Sequence, residues 1–324
     1  MKRFKNILYV AMGDEAGPCA LERAATLAEN NQAQLTVVSV IDSLALGTST
    51  QEPNLSAGGL QGTIADALQQ HLEALVAPWQ DRVDISTGVL TGAYDIAVVR
   101  DVLRNGRDLV MKCSGGGGLR ERLLGMDDLN LLRKCPCPVW LCKPGSPARY
   151  RSILVAVDPD DAYPPAELET RHELNLRLLE LAAALALSEF AELHVVHVWN
   201  APGETAMRGA FLTTPEEQIR DYVNAEQMRR LGLLECLMDE VAARLGAETL
   251  AYLKPVRHLP KGWPRDEIPA LAQRIGADLA VLGTVARGGL PGLLMGNTAE
   301  ILLHHLSCSV LALKPAAFVT LVTL

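Results

Sequence analysis

One stretch near the end of the chain has residue types and spacing suited to holding phosphate. It runs from Gly283 to Glu300 and is punctuated by Gly283, Gly288, Gly289, Gly292 and Gly296. An apolar run, Leu279 to Leu282, leads into it, and an apolar helical pattern, Ala299 to Leu306, leads out. A strand, a glycine-rich loop and a helix start together form a context in which backbone N–H groups cradle phosphate. Asn297 reads as the N-cap, with Glu300 three residues on as in a capping box. The plainer reading is a long connection whose glycines serve only its turns.

Other candidate chemistry is thinner. Cys135 and Cys137 alternate on an extended segment near Cys142, which puts both on one face, but no second ligand pair has zinc-site spacing. They read as core or strand-edge cysteines. His194 and His197 lie three apart in a strand, so they point to opposite faces. His304 and His305 diverge by about 100° on the last helix. There is no glycine-flanked serine elbow and no Walker lysine after a glycine loop. The segment 257–264 is punctuated by Pro260 and Pro264 and stands at the carboxyl edge of a sheet, where ligands bind. It reads first as a rigid loop with Trp263 packed beneath it. Trp199 and Met207 read as core or pocket wall. Nothing forms a nucleophile–base set, so the chain is expected to act without turnover.

The elements that must position these residues alternate. In the first half, strands are expected over residues 5–11, 35–41, 83–90, 108–112 and 138–142, with helices over 18–29, 64–76, 93–104 and 129–133. Residues 42–62, rich in Ser, Thr, Gly, Asn and Pro, read as a long loop. Such alternation means βαβ units and a parallel sheet. The chain of 324 residues is 49% hydrophobic but only 4% aromatic, so its cores are built from Ala, Leu and Val. A net charge of −8 and no basic stripe argue against binding nucleic acid or a membrane surface. The charged start is followed by a short apolar run, Ile7 to Met12, interrupted at Gly13. It reads as a first strand rather than a signal peptide. Seven irregularly spaced cysteines fit reduced thiols in a cytoplasm.

The series then repeats. Residues 143–150, with Pro144, Gly145 and Pro147, read as a linker. Beyond it Ile153 matches Ile7, Leu193 matches Leu35, Leu279 matches Leu109, and Gly296 and Cys308 match Gly125 and Cys137. The spacing between matches grows along the chain, which places the second copy's insertions in helices and loops. An internal duplication divides the chain into residues 1–147, with a degenerate loop, and residues 148–324, with a near-intact one.

With both copies aligned, the chain resembles the universal stress proteins of the tandem, two-domain type. The resemblance covers nearly the whole chain. It is most specific at Val281 to Val285, Gly296 to Glu300 and Lys314-Pro315, with Leu132 to Leu141 adding the first copy's part. It implies an α/β fold of two doubly wound domains, each with a five-stranded parallel sheet of the adenine-nucleotide alpha-hydrolase-like kind. The domains are expected to pair through their last strands within the one chain. In ATP-binding members the loop carries a glycine, a second glycine three residues on, and a third followed by a hydroxyl residue. Here Gly283 and Gly296 match the first and third, Ala286 replaces the second, and Asn297 replaces the hydroxyl residue. Arg287 supplies a nearby positive charge, and Thr298 follows at the helix start. Asp158 matches the family's nucleotide-contacting aspartate, and Val198 matches an apolar position beside the adenine. The first copy departs further: Lys112 or Cys113 replaces the first glycine, Met12 the aspartate and Met126 the hydroxyl residue. Asp127 and Asp128 then place carboxylates where an anion would bind. The run Gly115 to Gly118 is a relic on this reading, with Arg120 and Arg122 facing solvent.

The resemblance thus implies ATP, or another adenine nucleotide, in the second domain. The expected role is a cytoplasmic stress protein that binds a ligand or partner, in stress resistance. The alternatives are an apolar or lipid-like small molecule, prompted by the insertions between Asn200 and Asn224, or a slow ATPase resting on Asp158. A homodimer is a further expectation.

Overall fold

The structure is a computed structural model that describes residues 4–11, 18–42, 57–114, 125–209, 214–284 and 295–324. The first half runs β1 (Asn6–Val10), α1 (Pro18–Asn31), β2 (Gln34–Ile41), α2 (Ala57–Val76), β3 (Ile85–Thr91), α3 (Tyr94–Asn105), β4 (Leu109–Cys113), α4 (Met126–Lys134) and β5 (Val139–Cys142). The second runs β6 (Ser152–Ala156), α5 (Pro165–Glu189), β7 (Glu192–Val196), α6 (Glu204–Met207), α7 (Glu216–Leu245), α8 (Ala247–Leu253), β8 (Val256–His258), α9 (Pro264–Arg274), β9 (Leu279–Gly283), α10 (Asn297–His305) and β10 (Ser309–Leu313).

The ten strands of the described residues lie in one sheet, in the order β3-β2-β1-β4-β5-β10-β9-β6-β7-β8. Pairing is parallel inside each half. Between the halves β5 meets β10 antiparallel, with Trp140 opposite Leu311 and Val139 opposite Ala312. The expected pairing of two five-stranded sheets through their last strands is what the chain adopts. Central strands β1, β4 and β9 are apolar along almost their whole length because helices cover both faces. One layer holds α1, α2, α5 and α7 and the other holds α3, α4, α9 and α10. Each layer's core draws residues from both halves, so both cores cross the joint.

The strand registers reproduce the repeat. Ile7 pairs with Leu35 and Leu109, while Ile153 pairs with Leu193 and Leu279. The inserted residues lengthen helices: α5 has 25 residues against 14 in α1, and α7 has 30 against 20 in α2. Two expectations need correction. Helix α2 begins at Ala57, so its glycines Gly58, Gly59 and Gly62 are helical rather than loop. Its far end buries Leu72 and Val76, and tertiary packing there outweighs local propensity. Helix α4 spans nine residues where a shorter one was expected. Residues 43–56 of the expected loop lie outside the described residues.

The segment after β5 is tied down rather than loose. Arg23 of α1 is buried, and its guanidinium bonds Glu189 at the end of α5 (2.7 Å) and the carbonyls of Pro147 and Ala148 (2.9 and 2.8 Å). It also lies 3.4 Å from the Tyr150 ring centroid. The other oxygen of Glu189 accepts the Tyr150 N–H at 3.1 Å. Only a planar fork with several donors can serve three acceptors and a ring together. Beyond β10, Lys314 donates to the Arg133 carbonyl of α4 at 3.1 Å and is buried against Phe318. Burial brings its ammonium down to about 8.

Two expectations follow from these ties. Arg23→Met should cost about 3 kcal/mol in urea unfolding, since it strands Glu189 in a largely buried site. Arg23→Lys should restore less than half of that, and a loss under about 1 kcal/mol would show the tie to be incidental. Between about pH 8 and the ordinary lysine range the unfolded chain binds more protons at Lys314 than the folded chain does. The contribution of Lys314 to stability therefore rises with pH across that window and is a cost below it. Unfolding curves at pH 7.5 and 9.5 should differ less in Lys314→Met than in the parent chain.

Candidate functional site

In the second half the chain passes from β6 to β7 on one side and later returns to β9 on the other. The crevice beyond the carboxyl ends of β6 and β9 is therefore a topological switch point, where open α/β sheets bind ligands. Asp158 follows β6 on one side, and Gly283 closes β9 on the other. Gly296, Asn297 and Thr298 open α10, the helix that follows β9. Val198 stands one strand further out, after β7, half-buried against the α9 and α10 layer. Ala286 and Arg287 lie outside the described residues.

The Asp158 backbone is held on both sides by Asn175 of α5, whose amide accepts its N–H at 3.0 Å and donates to its carbonyl at 2.9 Å. One carboxylate oxygen accepts the Tyr163 hydroxyl at 2.6 Å, and Tyr163 in turn lies under Arg171, 3.6 Å from the ring centroid. Two further carboxylates, Asp160 and Asp161, are paired by Arg230 and Arg229 of α7. Burial opposes ionisation of Asp160, but the Ala162 N–H and Arg230 outweigh it and hold the carboxyl below its usual value. Beside them His197 is buried, with its Nε2 unpartnered among the described residues. Burial holds that imidazole below its ordinary value against the pull of Asp158. The lengthened helix α7 thus supplies the cations that neutralise this edge.

Gly283 has a packing reason of its own. A Cβ there would come within 2.8 Å of Leu174 Cδ2, a buried side chain of α5. Thr284 then turns its hydroxyl back onto the Leu313 carbonyl at 3.1 Å. The expected cap of α10 is corrected: the N-cap is Gly296, with no side-chain hydrogen bond, and Asn297 is already the first helical residue. Glu300 does not reach back; it pairs with Arg133 of α4 across the joint. Gly296 brings no side-chain acceptor to the first turn, and a helix start of that kind suits an anion. Asn297 and Thr298 are exposed beside it.

The first half differs at each of these places. Cys113 pairs with Cys142 as Gly283 pairs with Leu313, so Cys113 is the residue in the first glycine's place and Lys112 answers to Leu282. Lys112 is fully buried and ion-paired with Asp128, and its ammonium lies 4.8 Å from the Tyr94 ring centroid. The same carboxylate accepts the Gly125 N–H at 3.1 Å. Asp128 thus closes the helix start as a buried cap rather than as an exposed repelling charge, and only Asp127 is exposed. In the second half the matching positions, Leu282 and Ala299, are both apolar and buried. Met12 and residues 115–124, including Arg120 and Arg122, lie outside the described residues.

The duplicated edge, with its two matched strand ends and helix starts, corresponds to a known family. The model of the Universal stress protein family matches residues 3–143 and again 149–314. The chain belongs to the universal stress protein family. It is of the tandem type and is similar to universal stress protein E. The homolog from Haemophilus influenzae is 29% identical over 329 residues, which is 97% of this chain and 98% of that one. Universal stress protein E of Escherichia coli K12 is 31% identical over 230 residues, 70% of this chain and 67% of the relative. A functionally unknown protein from Pseudomonas aeruginosa PAO1 superposes with a TM-score of 0.63 at 25% identity, covering 97% of this chain and 94% of its own. A universal stress protein from Archaeoglobus fulgidus shares the fold, with a TM-score of 0.61 over 95% of this chain and 98% of its own, at 17% identity.

Three features escaped sequence reasoning. His194 stacks on His258 of the neighbouring strand, with Nδ1 and Nε2 3.0 Å apart. Its partner came from another strand, not from His197. Trp263 is 60% exposed rather than packed beneath its loop, whereas Trp199, read as core or pocket wall, is buried with its indole donating to the Leu259 carbonyl. The Lys112–Asp128 pair had one available signal, a lone lysine inside an otherwise apolar strand.

The copies suggest a test of that pair. Lys112→Leu or Asp128→Ala alone should cost about 3–5 kcal/mol, since each leaves a buried charge unpaired. The double variant, which recreates the second half's Leu282 and Ala299, should recover most of the loss. Chemical denaturation of the three variants measures the coupling. Additive losses would show that the charges are not a buried pair.

Proposed function

We propose that the chain is a stress protein that works by binding, and that its second domain holds an adenine nucleotide at the crevice between β6 and β9. The observation that carries this reading is the contrast between the two helix starts. Helix α10 opens at Gly296 with no side-chain cap beside exposed Asn297 and Thr298, whereas α4 is closed by Asp128 on Lys112. An uncapped first turn favours an anion, and a carboxylate cap excludes one. On this reading Asp158 and Val198 contact the base, and the N–H groups of Asn297 and Thr298 contact a phosphate. Arg287 adds a cation. Family membership and the names of the relatives support the stress role. The thiols of Cys135, Cys137, Cys142, Cys236 and Cys308 are free, which fits a reducing cytoplasm. No helix among the described residues is long and apolar enough to cross a membrane.

Calorimetric titration with ATP provides the check. Asn297→Asp places a carboxylate at the helix start and should weaken binding about tenfold or more. Asp158→Ala should weaken it as well. Absence of saturable binding at millimolar ATP would end the nucleotide reading. Phosphate release measured in the same samples separates a binder from a slow ATPase, and sustained release would overturn binding without turnover.

A further inference from the structure

Away from the strand ends, the joint between the halves carries a cleft of about 510 Å³. That volume falls within the range of small-molecule sites. Helix α1 of the first half and helices α5 and α7 of the second wall it. Phe4, Trp140, Leu185 and Leu245 supply apolar surface, and the first three are buried core residues.

The charge of the cleft is also readable. Its charged lining residues are Arg23, Glu189 and Arg149. Arg23 and Glu189 neutralise each other at 2.7 Å. Arg149 is exposed and lies over the Phe190 ring, 5.7 Å from its centroid, with no carboxylate paired to it among the described residues. A cleft with apolar walls at Phe4, Trp140, Leu185 and Leu245, polar Thr26, Asn30 and Thr249 beside them, and a cation with no paired carboxylate among the described residues is complementary to an amphipathic anion. We infer that this cleft binds an amphipathic carboxylate, its chain against Trp140, Leu185 and Leu245 and its head on Arg149. The site is separate from the strand-end crevice, and its ligand touches both halves of the chain.

Decanoate below its micelle concentration is the probe, with decyltrimethylammonium as its cationic counterpart. Calorimetry should show saturable one-to-one binding of decanoate and none of the cation. Arg149→Gln should weaken decanoate about tenfold. Leu185→Trp should abolish binding by filling the cleft, and Thr249→Trp at the rim serves the same purpose if that variant does not fold. Binding of ATP at the crevice should be unchanged in Arg149→Gln. The proposal is overturned if decanoate gives no saturable heat at millimolar concentration. It is equally overturned if the cation binds as well as decanoate, or if binding is unaltered in Arg149→Gln and in the filling variants.

Discussion

The antiparallel pairing of β5 with β10 is the constraint from which the rest of the structure follows. Each half taken alone would end its sheet on an open strand, with a row of unpaired N–H and C=O groups. Joining the two edges satisfies both rows and lets both helix layers continue across the joint. Because the two strands run in opposite directions, the carboxyl ends of the two half-sheets open at opposite ends of the molecule. The helix starts at Gly125 and Gly296 therefore stand at opposite edges of the sheet, and each is free to diverge. The buried ties of Arg23 and Lys314 add side-chain links at the same joint.

Divergence has taken a definite physical form. In one half a buried lysine and a helix-start aspartate close the site, and in the other both positions are apolar. A single change of either kind would strand a charge, so the two positions are expected to change together. The glycine at the end of β9 has a similar logic. It makes room for Leu174 of the longer α5, whereas Cys113 lies under the alanine-rich inner face of α1. A family-signature glycine can thus have a packing cause as well as a ligand-binding one.

The insertions distinguish the halves on the other side of the sheet. The thirty residues of α7 bury Leu234, Leu237, Met238 and Val241 in the core and turn Arg229 and Arg230 to the acidic edge at Asp160 and Asp161. The outer strand β8 has three residues, and Trp199 extends its pairing by a bridge to Lys261. The segment after β8, which from sequence could have been a ligand wall, is thereby fastened to the end of β7.

By itself the sequence determined the α/β class and the duplication, because these rest on short-range periodicity and on repeated patterns. It located Asp158, Gly283 and Gly296 on elements that the sheet brings to one edge. Helix ends were less legible: the glycines of α2 and the position of Asn297 were misread, since caps and tertiary burial decide them within a residue or two. What only the tertiary structure decided were contacts between residues distant in the chain. Lys112 with Asp128, Arg23 with Glu189 and His194 with His258 all depend on which strands and helices become neighbours. Strand register likewise settled that Cys113, rather than Lys112, stands in the first glycine's place. Pairings of this kind are set by packing across the sheet, and local pattern carries no record of them.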